Sequence, residues 1–361
     1  MIKIIDLYIL KRFCTRIIFL LVAISSIILI TNLVEMIDNF IDAEMNSNDI
    51  FNYYLLTIPM IVSYAIPMSV TISSVLAILT YINNNELIAV RSLGISYLRL
   101  IRVMILVSIL ISIGHFYFEN SVISESNQLK NKIIKKYNLK RQKTNRINNN
   151  NFIEDSNEKS IIIMSYNNKT QTAHNITIKE IKQNNIINRI DAKEMKWDKK
   201  KKMWVFKELL ERKWINNNIQ FNKTINDTSI SFQNINPIYL TSEFIEPEEM
   251  NYYELKDFIS IKKNNSANTN KWEVGLHHKL SYAFSSLILS ITAILSSFIL
   301  KKSNVSYGIG LSLLIITVYY LLLIVGKNLG IEGIISPFLS AWLANFSLLI
   351  LSGYLYKKYI F

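Results

Sequence analysis

The sequence predicts a polytopic α-helical membrane protein, with six transmembrane helices split three and three by an inserted all-β, jelly-roll-like domain. Three observations predict it. Long apolar stretches run over 17–34, 53–82, 103–118, 280–300, 306–326 and 337–356. One large polar insert lies between the third and the fourth. The apolar fraction of 50% and the mean hydropathy of +0.22 are too high for two ordinary soluble domains.

A bilayer core asks for about 20 helical residues. Residues 17–34, 280–300, 303–326 and 333–356 carry no charge and meet that length. The uncharged run over 50–85 is long for one span, but Pro59 and Pro67 can kink it. The third stretch is shorter and contains His115. Lys3, Lys11, Arg12 and Arg16 precede the first stretch as in a signal peptide. No small-residue cleavage site follows, so a retained helix is expected.

Short loops orient the spans. One side carries Lys3, Lys11, Arg12, Arg16, Arg91, Arg99, Arg102, Lys301, Lys302, Lys357 and Lys358. The other carries Glu35, Asp38, Asp42, Glu44 and Asp49, then only Lys327 and Glu332. The first side is therefore expected to be cytoplasmic, with both termini inside and the insert outside, which in a bacterium is the periplasm. The net charge of +13 invites a nucleic-acid reading. Its distribution opposes one, because residues 119–279 scatter 28 Lys+Arg among 19 Asp+Glu. The single cysteine, Cys14, excludes an intrachain disulfide.

The expected organisation is a first membrane half over 1–118, with a short cytoplasmic helix about 83–98, then a β-domain with helical entry over 119–247. A connector over 248–279 and a second membrane half over 280–361 follow. Within 159–233 apolar and polar residues alternate in short runs, the period of strands with one buried face. "KQNN" at 182–185 and "DKKKK" at 198–202 read as turns. Residues 119–146 read as a charged continuation of the third helix. After Pro247, the spacing of Tyr252, Leu255 and Ile259 predicts a helix, either amphipathic at the membrane or a plain connector.

No catalytic constellation emerges. His115, His174, His277 and His278 lack metal-ligand spacing, no Walker phosphate loop exists, and no carboxylate pair lies mid-membrane. Gly308 and Gly310 read as helix-packing residues. No cofactor is expected. The loop "NNNELIAVRSLGISYL" over 83–98 contains a short helix ended by Gly94 and Ser96. It is a surface an ATPase could push on, or an ordinary connection.

That loop resembles the coupling motif of the lipopolysaccharide-export permeases of LptF/LptG type. So does "HNITIKEIKQNNIINRIDAKEMKWDKKKKMWVFKEL", which is similar to their periplasmic jelly roll. In "KWEVGLHHKLSYAFSS", Val274, His278 and Lys279 fall on the family's Val, His and basic positions at the entry to the fourth span. "GIGLSLLIITVYYLLLIVGKNLG" and "ISPFLSAWLANF" resemble the last two spans, and "LVEMID" looks slightly more like LptG than LptF.

The resemblance implies a permease subunit of an ATP-driven exporter that extracts lipopolysaccharide from the inner membrane. Its partners would be a paralogous permease, a cytoplasmic LptB-like ATPase dimer and LptC/LptA-like periplasmic bridge proteins. ATP hydrolysis would belong to the ATPase, not to this chain. Glu86, Arg91 and Gly94 would couple to it, and the first and fifth spans would border a lateral gate. Some family members carry basic residues at the outer end of the first span. Here Glu35, Asp38 and Asp42 stand there, so Lys327 is expected to meet lipid phosphate, with Glu35 as a second lipid contact. The competing reading is a membrane scaffold or sensor with a ligand-binding β-domain.

Overall fold

The computed structural model describes residues 4–92, 94, 96–137, 139, 151–155, 159–167, 172–182, 185–198, 203–215, 218–225, 228–230, 246–264, 268–300 and 304–359. The turn residues at 199–202 and the lysines at 301 and 302 lie outside them. The chain divides into two compact units. One comprises Met1–Lys140, Pro247–Leu255 and Asn270–Phe361; the other comprises Arg141–Glu246 and Lys256–Thr269.

The first unit is helical. It begins with α1 (Ile4–Asp42), α2 (Ser47–Asn83), the short α3 (Glu86–Ser92) and α4 (Tyr97–Phe118). A π-helical turn at Glu119–Ile123 carries α4 without a break into α5 (Ser124–Tyr137). The weakest stretch in the sequence is thus the core of a 41-residue helix, its polar half standing beyond the apolar run. Later come α6 (Tyr252–Asn264), which from Lys256 on belongs to the second unit, then α7 (Asn270–Ala283), α8 (Ser285–Ser297), α9 (Val305–Ile331) and α10 (Pro337–Tyr359). In α6, Leu255 and Ile259 are buried while Tyr253 faces out.

Among the described residues, five helices are long and apolar enough to cross a membrane by themselves. The fourth crossing is a bent pair, α7 and α8, turning by 47° at Phe284. With it the chain has up to six candidate crossings, the number the apolar stretches predict.

Coverage differs sharply among the crossings. The apolar window of α2 is 72% buried, against 28% for α9 and 6% for α1. α2 is therefore the centre of the bundle. It continues through both prolines, and its neighbours compensate for one of them. Pro67 has no N–H, which leaves the Ser63 carbonyl without its helical donor. The Tyr282 hydroxyl of α7 donates to that carbonyl at 3.4 Å. Ser63 also shares a hydrogen bond with His115 Nε2 of α4 at 2.8 Å.

Small residues set the closest helix contacts. A Cβ on Gly308 would stand 2.8 Å from Leu79 of α2, and one on Gly326 would stand 2.5 Å from the Ser340 carbonyl of α10. Gly330, four residues further along α9, meets the same serine. Gly310 makes no such approach.

The second unit holds the inserted β-domain. Its described strands are β1 (Asn151–Asp155), β2 (Lys159–Asn167), β3 (Thr172–Lys182), β4 (Asn185–Asp198), β5 (Met203–Ile215), β6 (Asn218–Ile225) and β7 (Thr228–Ile230). Each pairs antiparallel with the next as far as β6, and β7 returns to pair with β5. The sheet is a meander in which sequence neighbours are spatial neighbours. Ile163, Ile176, Ile178, Met195, Trp204 and Phe206 form its buried core.

The alternation slips in β3, β4 and β5, and in β3 and β5 a left-handed residue stands at the slip. Asn175 and Glu208 have φ of 53° and 51°. Each adds one outward residue, so burial passes from Ala173 to Ile176 and from Phe206 to Leu209. The pairing register is unchanged at both positions; it shifts instead at Glu180/Ile181 against β4 and at Lys213/Trp214 against β6.

Candidate functional site

Two polar constellations stand at different places in the helical unit. The first is built around α3. Glu86 opens that helix, and its Oε1 accepts from Arg12 Nη1 at 3.1 Å and from Asn84 Nδ2 at 2.9 Å. Arg12 donates also to the Tyr8 hydroxyl and lies over the Tyr81 ring at 5.8 Å. One turn further along α1, Arg16 donates to Thr80 at 3.0 Å. Beyond α3, Arg99 grips both oxygens of Asp6 at 3.1 and 2.9 Å. The start of α1 therefore holds the α3 connection at both of its ends. Gly94 is exposed at φ 74°, a left-handed position that suits glycine, and a Cβ there would meet nothing. Arg91 belongs to α3, and its side chain lies outside the described residues.

The second constellation gathers where the π turn, the 3₁₀ turn Pro247–Glu249, α7 and α9 meet. Its charged members are Glu119, Glu248, Lys279 and Lys327, with His278 among them. Lys327 Nζ donates to Glu248 Oε1 at 2.9 Å. Glu119 feels the ammonium groups of Lys279 and Lys327 and the carboxylate of Glu248. Lys279 is buried, with Glu119, Glu248 and Glu254 as its counter-charges. His278 stacks on Tyr282 with ring centroids 5.4 Å apart. Buried atoms without a hydrogen-bond partner among the described residues include Glu119 Oε2 and His278 Nε2.

Burial alone raises the carboxyl of Glu248. The charge and hydrogen bond of Lys327, with a backbone hydrogen bond and the nearby His278, together outweigh that and hold it below its ordinary value. The pair's side chains are still 34% and 50% exposed, so it ranks with surface ion pairs in strength.

A polar stripe on one helix face secures this region. Asn120 accepts from the Tyr252 amide, and Ser124 donates to the Met250 carbonyl at 3.0 Å. Asn127 and Gln128 donate to the carbonyls of Glu248 and Glu249 at 3.2 and 2.8 Å. The residues following the β-unit are thus fastened to the third crossing through their backbone.

Of the residues singled out in the sequence, the structure brings Lys327, His278 and Lys279 together. Val274 is wholly buried on the same helix, against Gly330. Glu35 stands exposed on α1 and makes no ion pair with Lys327. Sequence reasoning missed Glu119, Glu248 and the part Arg12 plays. A lone acid ending an apolar run was the available signal for Glu119. The partners of Glu248 and Arg12 lie 79 and 74 residues away and left no local sign.

Membrane-length helices in two groups about an inserted antiparallel β-unit define a multi-pass membrane protein with one folded extramembrane domain. The family model described as "Lipopolysaccharide export system permease LptF/LptG" matches residues 7–358, and the chain belongs to that family. It is a membrane subunit of the lipopolysaccharide export system and a multi-pass protein of the inner membrane. No curated protein matches it significantly.

Proposed function

We propose that the chain is one half of the permease in an ATP-driven exporter, paired with a paralogous subunit above a dimeric cytoplasmic ATPase. Both termini and α3 face the cytoplasm, and the β-unit is a jelly roll in the periplasm. The α3 helix is the coupling element, with Glu86, Arg91 and Gly94 at the ATPase. Lipopolysaccharide enters beside the first and fifth crossings, α1 and α9, and leaves through the β-unit to a periplasmic bridge.

One observation carries this reading: α1 and α9 are the least covered crossings. Ile18, Phe19, Val22, Ile27 and Ile30 of α1 are all exposed, as are Leu313, Leu314 and Leu321 of α9. A subunit meant to pass lipid between helices and to meet a second subunit needs apolar faces left open. The family's function supplies the cargo. A lipid with several acyl chains costs about 0.8 kcal/mol per CH₂ brought into water, so an unbroken apolar path is required. Lys327 meets a lipid phosphate by exchanging Glu248 for it.

Co-purification tests the reading. The tagged chain should bring down an ATPase and a second permease, and Glu86→Lys should release the ATPase. A cysteine introduced near residue 200 should react with an impermeant reagent in cells whose inner membrane is intact. Labelling only after the inner membrane is broken would reverse the topology and remove the proposal. Unchanged lipid crosslinking and ATPase stimulation in Lys327→Ala would dismiss the phosphate contact.

A further inference from the structure

We propose that the groove between α1 and α4 binds an anionic glycerophospholipid, its phosphate held by Arg102 and an acyl chain lying along α4. The site is separate from the proposed lipopolysaccharide path and does not rest on it.

The groove encloses about 920 Å³. Leu7 and Leu10 of α1 and Val103, Leu106 and Leu110 of α4 form its apolar walls. Asp6, Arg99 and Arg102 form its polar end. On α4 the residues 99, 102, 103, 106 and 110 follow helical spacing, so two arginines and an aliphatic stripe share one face. From Arg102 to Leu110 the stripe rises about 12 Å at about 1.5 Å per residue. One leaflet of a hydrocarbon core about 30 Å thick contains that length. The face is thus built on the scale of one headgroup and the upper part of one chain.

Charge selects the headgroup. Arg99 is neutralised by Asp6, which accepts two of its hydrogen bonds. Arg102 is exposed and makes no hydrogen bond or ion pair with any described residue. The polar end therefore has one guanidinium to spare, and a guanidinium matches phosphate with two parallel hydrogen bonds. It lies on the basic-loop side of the chain, where anionic lipids meet short positively charged segments. The walls argue for an acyl chain and not for a helix. Helices meet closely in this fold through glycine and serine, as at Gly326, Gly330 and Ser340. The groove walls are branched aliphatics, which hold a neighbouring backbone away and leave a channel.

Native mass spectrometry of the full chain tests this, after exchange into detergent with phosphatidylglycerol, phosphatidylcholine or inorganic phosphate. The wild type should retain one phosphatidylglycerol, about tenfold in preference to phosphatidylcholine, the effect of one charge-assisted contact. Arg102→Ala should erase the preference, and Arg102→Lys should keep part of it. Leu106→Trp should fill the groove and lose both lipids. Variants are compared at unchanged melting temperature; should Arg102→Ala not fold, Arg102→Gln takes its place. Equal retention by the wild type and the Arg102 variants overturns the proposal. So does competition by inorganic phosphate, which indicates a free-anion site, or recovery of lipopolysaccharide or a polypeptide in the groove.

Discussion

Arg12 Nη1 lies 3.1 Å from Glu86 Oε1, joining the start of the first crossing to the first residue of α3. The other carboxylate oxygen of Glu86 has no partner among the described residues. Glu86 therefore faces two ways. One oxygen is bound to the helix that borders the proposed gate, and the other is the one that would meet the ATPase under the proposed coupling role. In the proposed coupling role, a push on α3 would reach α1 through one ion pair, backed by the Asp6–Arg99 pair on the far side of the loop.

Arg12→Ala should therefore weaken coupling more than stability. Both side chains are 29% exposed, so the pair contributes about 0.2–1 kcal/mol to folding. Lipid-stimulated ATPase activity of the assembled complex should fall several-fold, with little change in melting temperature. The swap Arg12→Glu with Glu86→Arg should restore some of it. A loss of stability as large as the loss of coupling would mean that Arg12 is a packing residue.

Gly326→Val should destabilise the bundle by about 1–3 kcal/mol, because its side chain must enter the Ser340 backbone. Gly353→Ala should be neutral, since a Cβ there meets nothing. Thermal unfolding in detergent compares the two.

Tyr282→Phe removes the donor to the Ser63 carbonyl and should cost about 1 kcal/mol. Pro67→Ala supplies that carbonyl with its helical N–H again. The loss from Tyr282→Phe should then be smaller in the Pro67→Ala background than in the wild type. Additive effects would show that the tyrosine does not replace the proline's missing donor.

The Glu248 carboxyl is held below its ordinary value by Lys327. Its contribution is thus present above the unfolded-state value and lost as the pH falls through the lower folded-state one. Half exposure limits it to the surface-pair range, about 1 kcal/mol or less. Lys327→Met should lower the melting temperature at neutral pH by that contribution and leave pH about 3 little changed, which flattens the acid limb between them. An unchanged acid limb would show that other carboxylates govern it.

Much of the fold is local and was legible. Uncharged length placed the helices, and period-two alternation placed β2 to β5, because both follow from the environment each short segment must satisfy. Where reading was incomplete, a backbone detail intervened. The fourth crossing bends at Phe284 within an unbroken apolar run. Left-handed residues, Asn175 and Glu208, stand where the burial pattern of β3 and β5 moves by one position. The pair Gly326 and Gly330 has the spacing of a helix contact and stood in plain view, but only Ser340 of α10 shows what it receives.

By itself the sequence determined the solvent of each segment, the three–domain–three order and the family, since these depend on composition and spacing along the chain. Only the tertiary structure decided which charges meet: Arg12 with Glu86, Asp6 with Arg99, Glu248 with Lys327. The reason is that apolar length acts within one helix, whereas an ion pair needs side chains within about 4 Å, a distance set by how helices remote in sequence pack together.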